Sequence, residues 1–66
     1  MTEGVIELFN NLTGFGYISS NEHKQVFFSY EDCNKELVIK LKEGLNIKFE
    51  LIETEHGTRA KKICLK

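Results

Sequence analysis

The chain has 66 residues, of which 41% are hydrophobic and 29% are charged, and this composition predicts one folded domain rather than a disordered segment. A net charge of −1 does not by itself indicate a polyanion partner, and no apolar run is long enough to span a bilayer. The acidic N-terminus runs directly into a strand pattern without a signal peptide, which predicts a cytosolic protein.

Hydrophobic and polar residues alternate in three segments of the first half, which predicts β-strands at residues 4–10, 15–19 and 25–29. Polar turns at residues 10–14 and 20–23 separate them. The next segment, residues 30–42, loses the alternation, and we interpret it as a long loop with one helical turn near residues 31–33. Side chains predicted to point inward from these strands are Ile6, Ile18, Val26 and Phe28, whereas Phe27 and Ser29 are predicted to point outward.

The second half contains two further strand patterns, at residues 46–53 and 58–65, joined by a hairpin turn at residues 54–57. A bulge between Ala60 and Ile63 is needed if both side chains are to point inward. Five short strands in 66 residues predict an all-β, five-stranded antiparallel barrel, because closure removes the exposed edges of a small sheet. The other predicted core residues of this half are Ile47, Phe49, Leu51 and Leu65.

Charge is unevenly distributed along the chain. Residues 1–32 carry five acids and one base, whereas residues 33–66 carry eight bases and five acids. The last eight residues hold four bases and no acid. This basic end is typical of an edge strand protected by lysines, and it would also suit contacts with phosphates; composition alone favours the edge strand.

Aromatic residues cluster in two segments, Gly14-Phe15-Gly16-Tyr17-Ile18 and residues 26–30. Because alternate residues of a strand share a face, Phe15 and Tyr17 are predicted to point the same way, with Phe27 and Tyr30 beside them. These rings either pack under the long loop or bind flat ligands such as nucleobases, and we favour base stacking. The basic residues predicted to approach phosphates are Lys24, Lys40, Arg59 and Lys61.

The two aromatic segments resemble the two ribonucleoprotein motifs of the cold-shock protein family, and Phe9-Asn10-Asn11, Glu43-Gly44 and Gly57 also fit its pattern. The resemblance covers the whole chain as a single cold-shock-like domain. It implies an oligonucleotide-binding (OB-fold) barrel that binds single-stranded RNA and DNA and acts as an RNA chaperone. Separately, the complete strand alternation and the lack of a cysteine-pairing signal predict that the barrel folds alone as a monomer, without metal or disulfide. By resemblance, the base-stacking residues are Phe15, Tyr17, Phe27 and Tyr30, with Phe9 peripheral, although Phe9 also suits a core position.

Several positions depart from the family pattern. Leu8 stands where the family has tryptophan, and Ser29 stands where it has histidine; both remain among the predicted nucleic-acid-binding positions. Glu7 and Thr13 replace lysines, and residues 37–39 lack the usual loop aromatic. These changes predict weaker or altered binding on an unchanged fold.

The remaining polar residues favour no other chemistry. Cys33 and Cys64 are far apart in sequence and are best interpreted as reduced thiols, with a disulfide or metal pair as the alternative. His23, His56 and the pair Glu31-Asp32 are interpreted as solvated turn or loop residues. No nucleophile–base spacing, phosphate loop or metal motif is present, so we expect no enzyme, cofactor or metal.

Two alternative functions fit the same barrel. The acidic first half and the missing tryptophan also suit a protein-interaction module. A ribosome-associated RNA-binding barrel of the initiation-factor type is the third hypothesis.

Overall fold

Five β-strands make up most of the chain in the computed structural model, which describes residues 1–66. They are β1 (Thr2–Asn10), β2 (Phe15–Ser20), β3 (Val26–Ser29), β4 (Asn46–Thr54) and β5 (Gly57–Leu65). A 3-10 helix (Tyr30–Asp32) and the short helix α1 (Lys35–Val38) lie between β3 and β4. All five predicted strands are therefore confirmed, with β1 beginning earlier than expected and the other bounds nearly unchanged.

The strands close into a barrel in the order β1-β2-β3-β5-β4. Four of the neighbouring pairs are antiparallel, whereas β3 and β5 are parallel and meet at Phe27 and Arg59. The predicted all-β barrel is confirmed, and the parallel closing pair is a feature that side-chain alternation cannot show. This closure brings the basic strand β5 next to the aromatic strand β3.

The hydrophobic core fills the interior of the barrel with side chains from all five strands and from α1. Leu51 and Leu65, which were predicted to point inward, are partly buried and pack against this core. Small barrels are filled by large apolar side chains rather than by a ligand cavity. The buried cluster consists of Ile6, Ile18, Val26, Phe28, Leu37, Ile47, Phe49, Ala60 and Ile63.

Two bulges set which side chains point outward. In β5 the pairing with β4 shifts by one residue between Lys61 and Cys64, and Lys62 has φ 52°. Ala60 and Ile63 are both buried as a result, which confirms the predicted bulge. In β1 the pairing with β2 skips Glu7, so that Glu7 and Leu8 are both exposed.

Helix α1 is the element that side-chain alternation missed. It begins after Asn34, whose side-chain Oδ1 accepts a hydrogen bond from the Leu37 N–H at 2.8 Å. A single turn is too short for a hydrophobic period to show, but asparagine at the N-cap position is a recognisable signal. The helix places Leu37 in the core, while Val38 and Ile39 remain exposed.

Candidate nucleic-acid interface

Three aromatic side chains form a continuous surface on the outside of β2 and β3, which we call the aromatic platform (Phe15, Tyr17 and Phe27). Tyr17 lies directly opposite Phe27 in the strand pairing. The Phe27 ring centroid lies 5.4 Å from that of Phe15 and 6.1 Å from that of Tyr17. Phe15 is 49% exposed and Tyr17 is 41% exposed, so both rings face solvent. The structure thus brings together three of the predicted stacking residues.

Gly16 allows the platform to lie directly over the core. A Cβ atom at this position would lie 2.2 Å from the Leu8 carbonyl oxygen and 2.8 Å from the Phe28 ring. Only glycine fits between β1 and this ring, because a backbone oxygen cannot move aside as a flexible side chain can. The backbone between Phe15 and Tyr17 is therefore packed tightly against β1 and the Phe28 ring.

Leu8 extends the platform onto β1. The bulge at Glu7 pairs Leu8 with Tyr17 across the two strands, and the leucine side chain is 50% exposed. Cross-strand partners lie on the same face of a sheet within side-chain contact distance. The position is therefore suited to contact a ligand that covers Tyr17, with apolar surface but without an aromatic ring.

A buried carboxylate lies beside the platform and pairs with two of the predicted phosphate-binding residues. The Asp32 Oδ2 atom lies 3.3 Å from an Arg59 Nη atom, and the Asp32 Oδ1 atom lies 3.0 Å from the Lys61 Nζ atom. The Arg59 guanidinium also lies 5.2 Å from the Phe27 ring centroid, within the range of a cation–π contact. We call these three residues the Asp32 cluster.

The environment of Asp32 favours its charged form. Burial alone would raise the pKa of the carboxyl, but hydrogen bonds from the Ser29 N–H and Lys61, together with the charges of Arg59 and Lys61, lower the pKa below its usual value. Asp32 was expected to be solvated, and this expectation is wrong, because the residue packs against β5. The Ser29-x-x-Asp32 spacing is typical of a helix cap, and it is the sequence signal that could have indicated a structural role for Asp32.

Comparison with known proteins identifies the family of the chain. Residues 2–65 match the model of the 'Cold-shock' DNA-binding domain family. The chain belongs to this cold-shock domain family. Cold shock protein CspA of Staphylococcus saprophyticus and that of Staphylococcus epidermidis are each 33% identical to it over 60 residues, covering 91% of both chains. Cold shock protein CspA of Staphylococcus aureus is 32% identical over the same length and coverage.

Phe9 and Tyr30 lie beside a groove of this cold-shock domain that is separate from the platform. Phe9 is half-buried, and its ring stacks on Phe28 with centroids 5.8 Å apart, as expected of a residue near the core. The Tyr30 ring covers Gly14, which has φ 78° and no room for a Cβ atom. Phe9, Gly14, Tyr30 and Val38 line a groove of about 430 Å³.

Ser29 is not placed as predicted. Its position opposite Phe15 is on the outer face of the sheet, but the 3-10 helix folds back over it and leaves it 3% exposed. The Ser29 N–H donates a hydrogen bond to Asp32 Oδ2 at 3.0 Å, and its Oγ lies 3.4 Å from the same atom. The prediction that Ser29 is accessible to a ligand is therefore wrong. The residue is buried and contacts Asp32 instead.

The other two predicted phosphate-binding residues lie on loops of the cold-shock domain. Lys24 is exposed in the turn between β2 and β3, and Lys40 is exposed after α1. Neither lysine forms an ion pair. They remain free cations outside the platform, whereas Arg59 and Lys61 are both engaged by Asp32.

The two cysteines are free thiols, as expected, and are partly buried. Burial and the nearby Asp32 carboxylate raise the pKa of the Cys33 thiol to about 12. His56 is exposed, whereas His23 is partly buried and its Nδ1 atom is buried without a hydrogen-bond partner, contrary to the solvated position predicted for it. The structure has no cluster of three or more potential metal ligands.

The protein lacks a helix with the length and apolar character needed to span a membrane. Its only α-helix has four residues. The exposed apolar side chains are spread over strands and loops, and two of them, Phe15 and Tyr17, each contact the Phe27 ring of the platform.

Proposed function

We propose that this cold-shock domain binds single-stranded RNA and DNA by stacking bases on the aromatic platform, and that it acts as an RNA chaperone. The observation that carries this proposal is the set of three neighbouring rings on an open face of the barrel. Exposed rings in contact with one another are costly unless a partner covers them. Nucleobases have flat apolar faces of matching size, and each base stacked on an aromatic side chain contributes about 1–3 kcal/mol.

The charges near the platform support binding through bases more than through phosphates. Asp32 neutralises part of the charge of Arg59 and Lys61, and the first strand places Glu7 beside Leu8. Stacking is tolerant of sequence, because every base has a π-face. Weak, rapidly reversible contacts of this kind would hold strands unpaired without an energy source, which is the requirement for an RNA chaperone.

A titration with short oligothymidine and oligouridine tests this function. We expect the amide resonances of β2 and β3 to shift, because the platform is built on these strands. The variants Phe15→Ala and Phe27→Ala should each weaken binding, whereas Asn46→Ala, a truncation at an exposed position of β4, should not.

Two results would contradict the proposal. One is the absence of binding by the folded protein, which would favour a protein partner for the platform. The other is binding that shifts only resonances outside β2 and β3. Chaperone activity is tested separately by the rate at which the protein melts a labelled RNA hairpin, with Phe27→Ala as the inactive comparison.

A further inference from the structure

The Asp32 cluster holds its anion in the interior and its cations toward solvent. The Asp32 side chain is 4% exposed, whereas the side chains of Arg59 and Lys61 are 35% and 43% exposed. The carboxylate is also tied to the Ser29 N–H at 3.0 Å, so it cannot turn outward without leaving that donor unpaired. A ligand phosphate that reaches the two cations therefore finds an anion already in place.

Asp32 is the acidic side chain that forms an ion pair with Arg59. A groove of about 590 Å³ lies on one side of the guanidinium and is lined by Tyr17, Phe27, Gln25, His56 and neighbouring residues, without any aspartate or glutamate. This groove adjoins the platform through Tyr17 and Phe27. A strand with its bases on the platform would thus pass Arg59, and the charge that opposes a phosphate there is that of Asp32. Lys61 lines a separate groove of about 730 Å³ with Asp32, Glu31 and Glu50, and Asp32 is the acid that pairs with it.

We propose that Asp32 is an internal substitute for a strand phosphate, which keeps Arg59 and Lys61 from binding the sugar–phosphate backbone and so selects strands that offer bases. This inference rests on the proposed function of the platform. It assigns to Asp32 a specificity-determining role rather than contact with the ligand. The ligands it disfavours are polyanions without accessible bases.

The substitution Asp32→Asn tests the role directly. The amide oxygen can still accept the hydrogen bond from Ser29, but the negative charge is removed. The probes are oligothymidine and an abasic oligodeoxynucleotide of the same length, each titrated between about 0.1 M and 1 M salt. One additional phosphate contact on a single strand adds a salt slope of about −0.7, which is about a fivefold gain in affinity for each tenfold dilution of salt.

We expect Asp32→Asn to bind the abasic strand about fivefold more tightly at 0.1 M salt and to lose this gain near 1 M. Oligothymidine should gain less, because bases stacked on the platform fix its register and its phosphates cannot move freely onto the cations. Glu3→Gln is the matched control: it removes one negative charge and releases Lys66, a pair that includes no residue of the platform. This control should change neither affinity by more than about twofold.

Three results would overturn the inference. They are an unchanged affinity for the abasic strand, an equal gain for both strands, and weaker binding of oligothymidine, which would mean that Asp32 positions Arg59 over Phe27. Failure of the unchanged protein to bind oligothymidine would instead refute the proposed function. If Asp32→Asn does not fold, Lys61→Gln decides: the proposal predicts a change in salt slope far smaller than about 0.7, and a full change of that size contradicts it.

Discussion

Replacing Leu8 by tryptophan should tighten oligonucleotide binding. Leu8 is half-exposed and lies opposite Tyr17, so an indole at this position would extend the platform by a fourth ring. A base stacked on an aromatic side chain contributes about 1–3 kcal/mol, and leucine already supplies part of the apolar contact. A net gain of about 1.4 kcal/mol corresponds to a tenfold lower Kd, which is the change that we expect.

The protein contains no tryptophan, so the new indole is also a specific probe. Its fluorescence should be quenched as oligothymidine binds, and the Kd should be measured independently from the anisotropy of a labelled strand. Asn46→Trp is the matched control, because it places an indole at an exposed position of β4, a strand that carries no platform ring. Unchanged affinity and no quenching in folded Leu8→Trp would refute the assignment of Leu8 to the ligand-facing surface.

Three further predictions concern the stability of the fold and the reactivity of a thiol. Gly16→Ala should destabilise the barrel by about 3 kcal/mol or more, because the added methyl group overlaps a backbone oxygen and the Phe28 ring. Urea denaturation measures the free energy of unfolding, and a loss below about 1 kcal/mol would contradict the prediction. Cys33 should resist alkylation at pH 8, because its pKa is about 12 and the thiolate is the reactive form. Labelling should therefore occur at Cys64, and Cys33→Ala should leave the rate of labelling unchanged. The lowered pKa of Asp32 stabilises the fold above the unfolded-state pKa of about 3.9, and this contribution is lost as the pH falls through the lower folded-state pKa. The Tm of Asp32→Asn should therefore vary less than that of the unchanged protein between about pH 2 and 6, and parallel curves would contradict this.

The barrel could be predicted from sequence because its strands follow a period of two with few exceptions. Even the bulge in β5 was predictable, since Ala60 and Ile63 are three residues apart and both apolar. The bulge at Glu7 was not predictable. Only the register between β1 and β2 shows that Glu7 has no partner in β2. Helix α1 was missed because four residues give no hydrophobic period.

The platform was predictable for the same reason, since Phe15, Tyr17 and Phe27 occupy alternate positions on two neighbouring strands. The Asp32 cluster was not, because it joins the 3-10 helix to β5, and Asp32 and Arg59 are 27 positions apart in sequence. Adjacent acids in a loop give no sign of burial. The sequence therefore indicated which rings share the outer face of the barrel, but not how the nearby cations are neutralised.

The most direct test of the central claim, that stacking dominates binding, compares Phe15→Ala, Phe27→Ala and Lys61→Ala in oligothymidine titrations at several salt concentrations. Each phenylalanine variant should lose about 1–3 kcal/mol of binding free energy, and Lys61→Ala less than about 1 kcal/mol. The salt slope of the unchanged protein should be no steeper than about −2, the value for two or three phosphate contacts. A steep slope together with normal binding by both phenylalanine variants would contradict the account and would identify the basic strand β5 as the binding site.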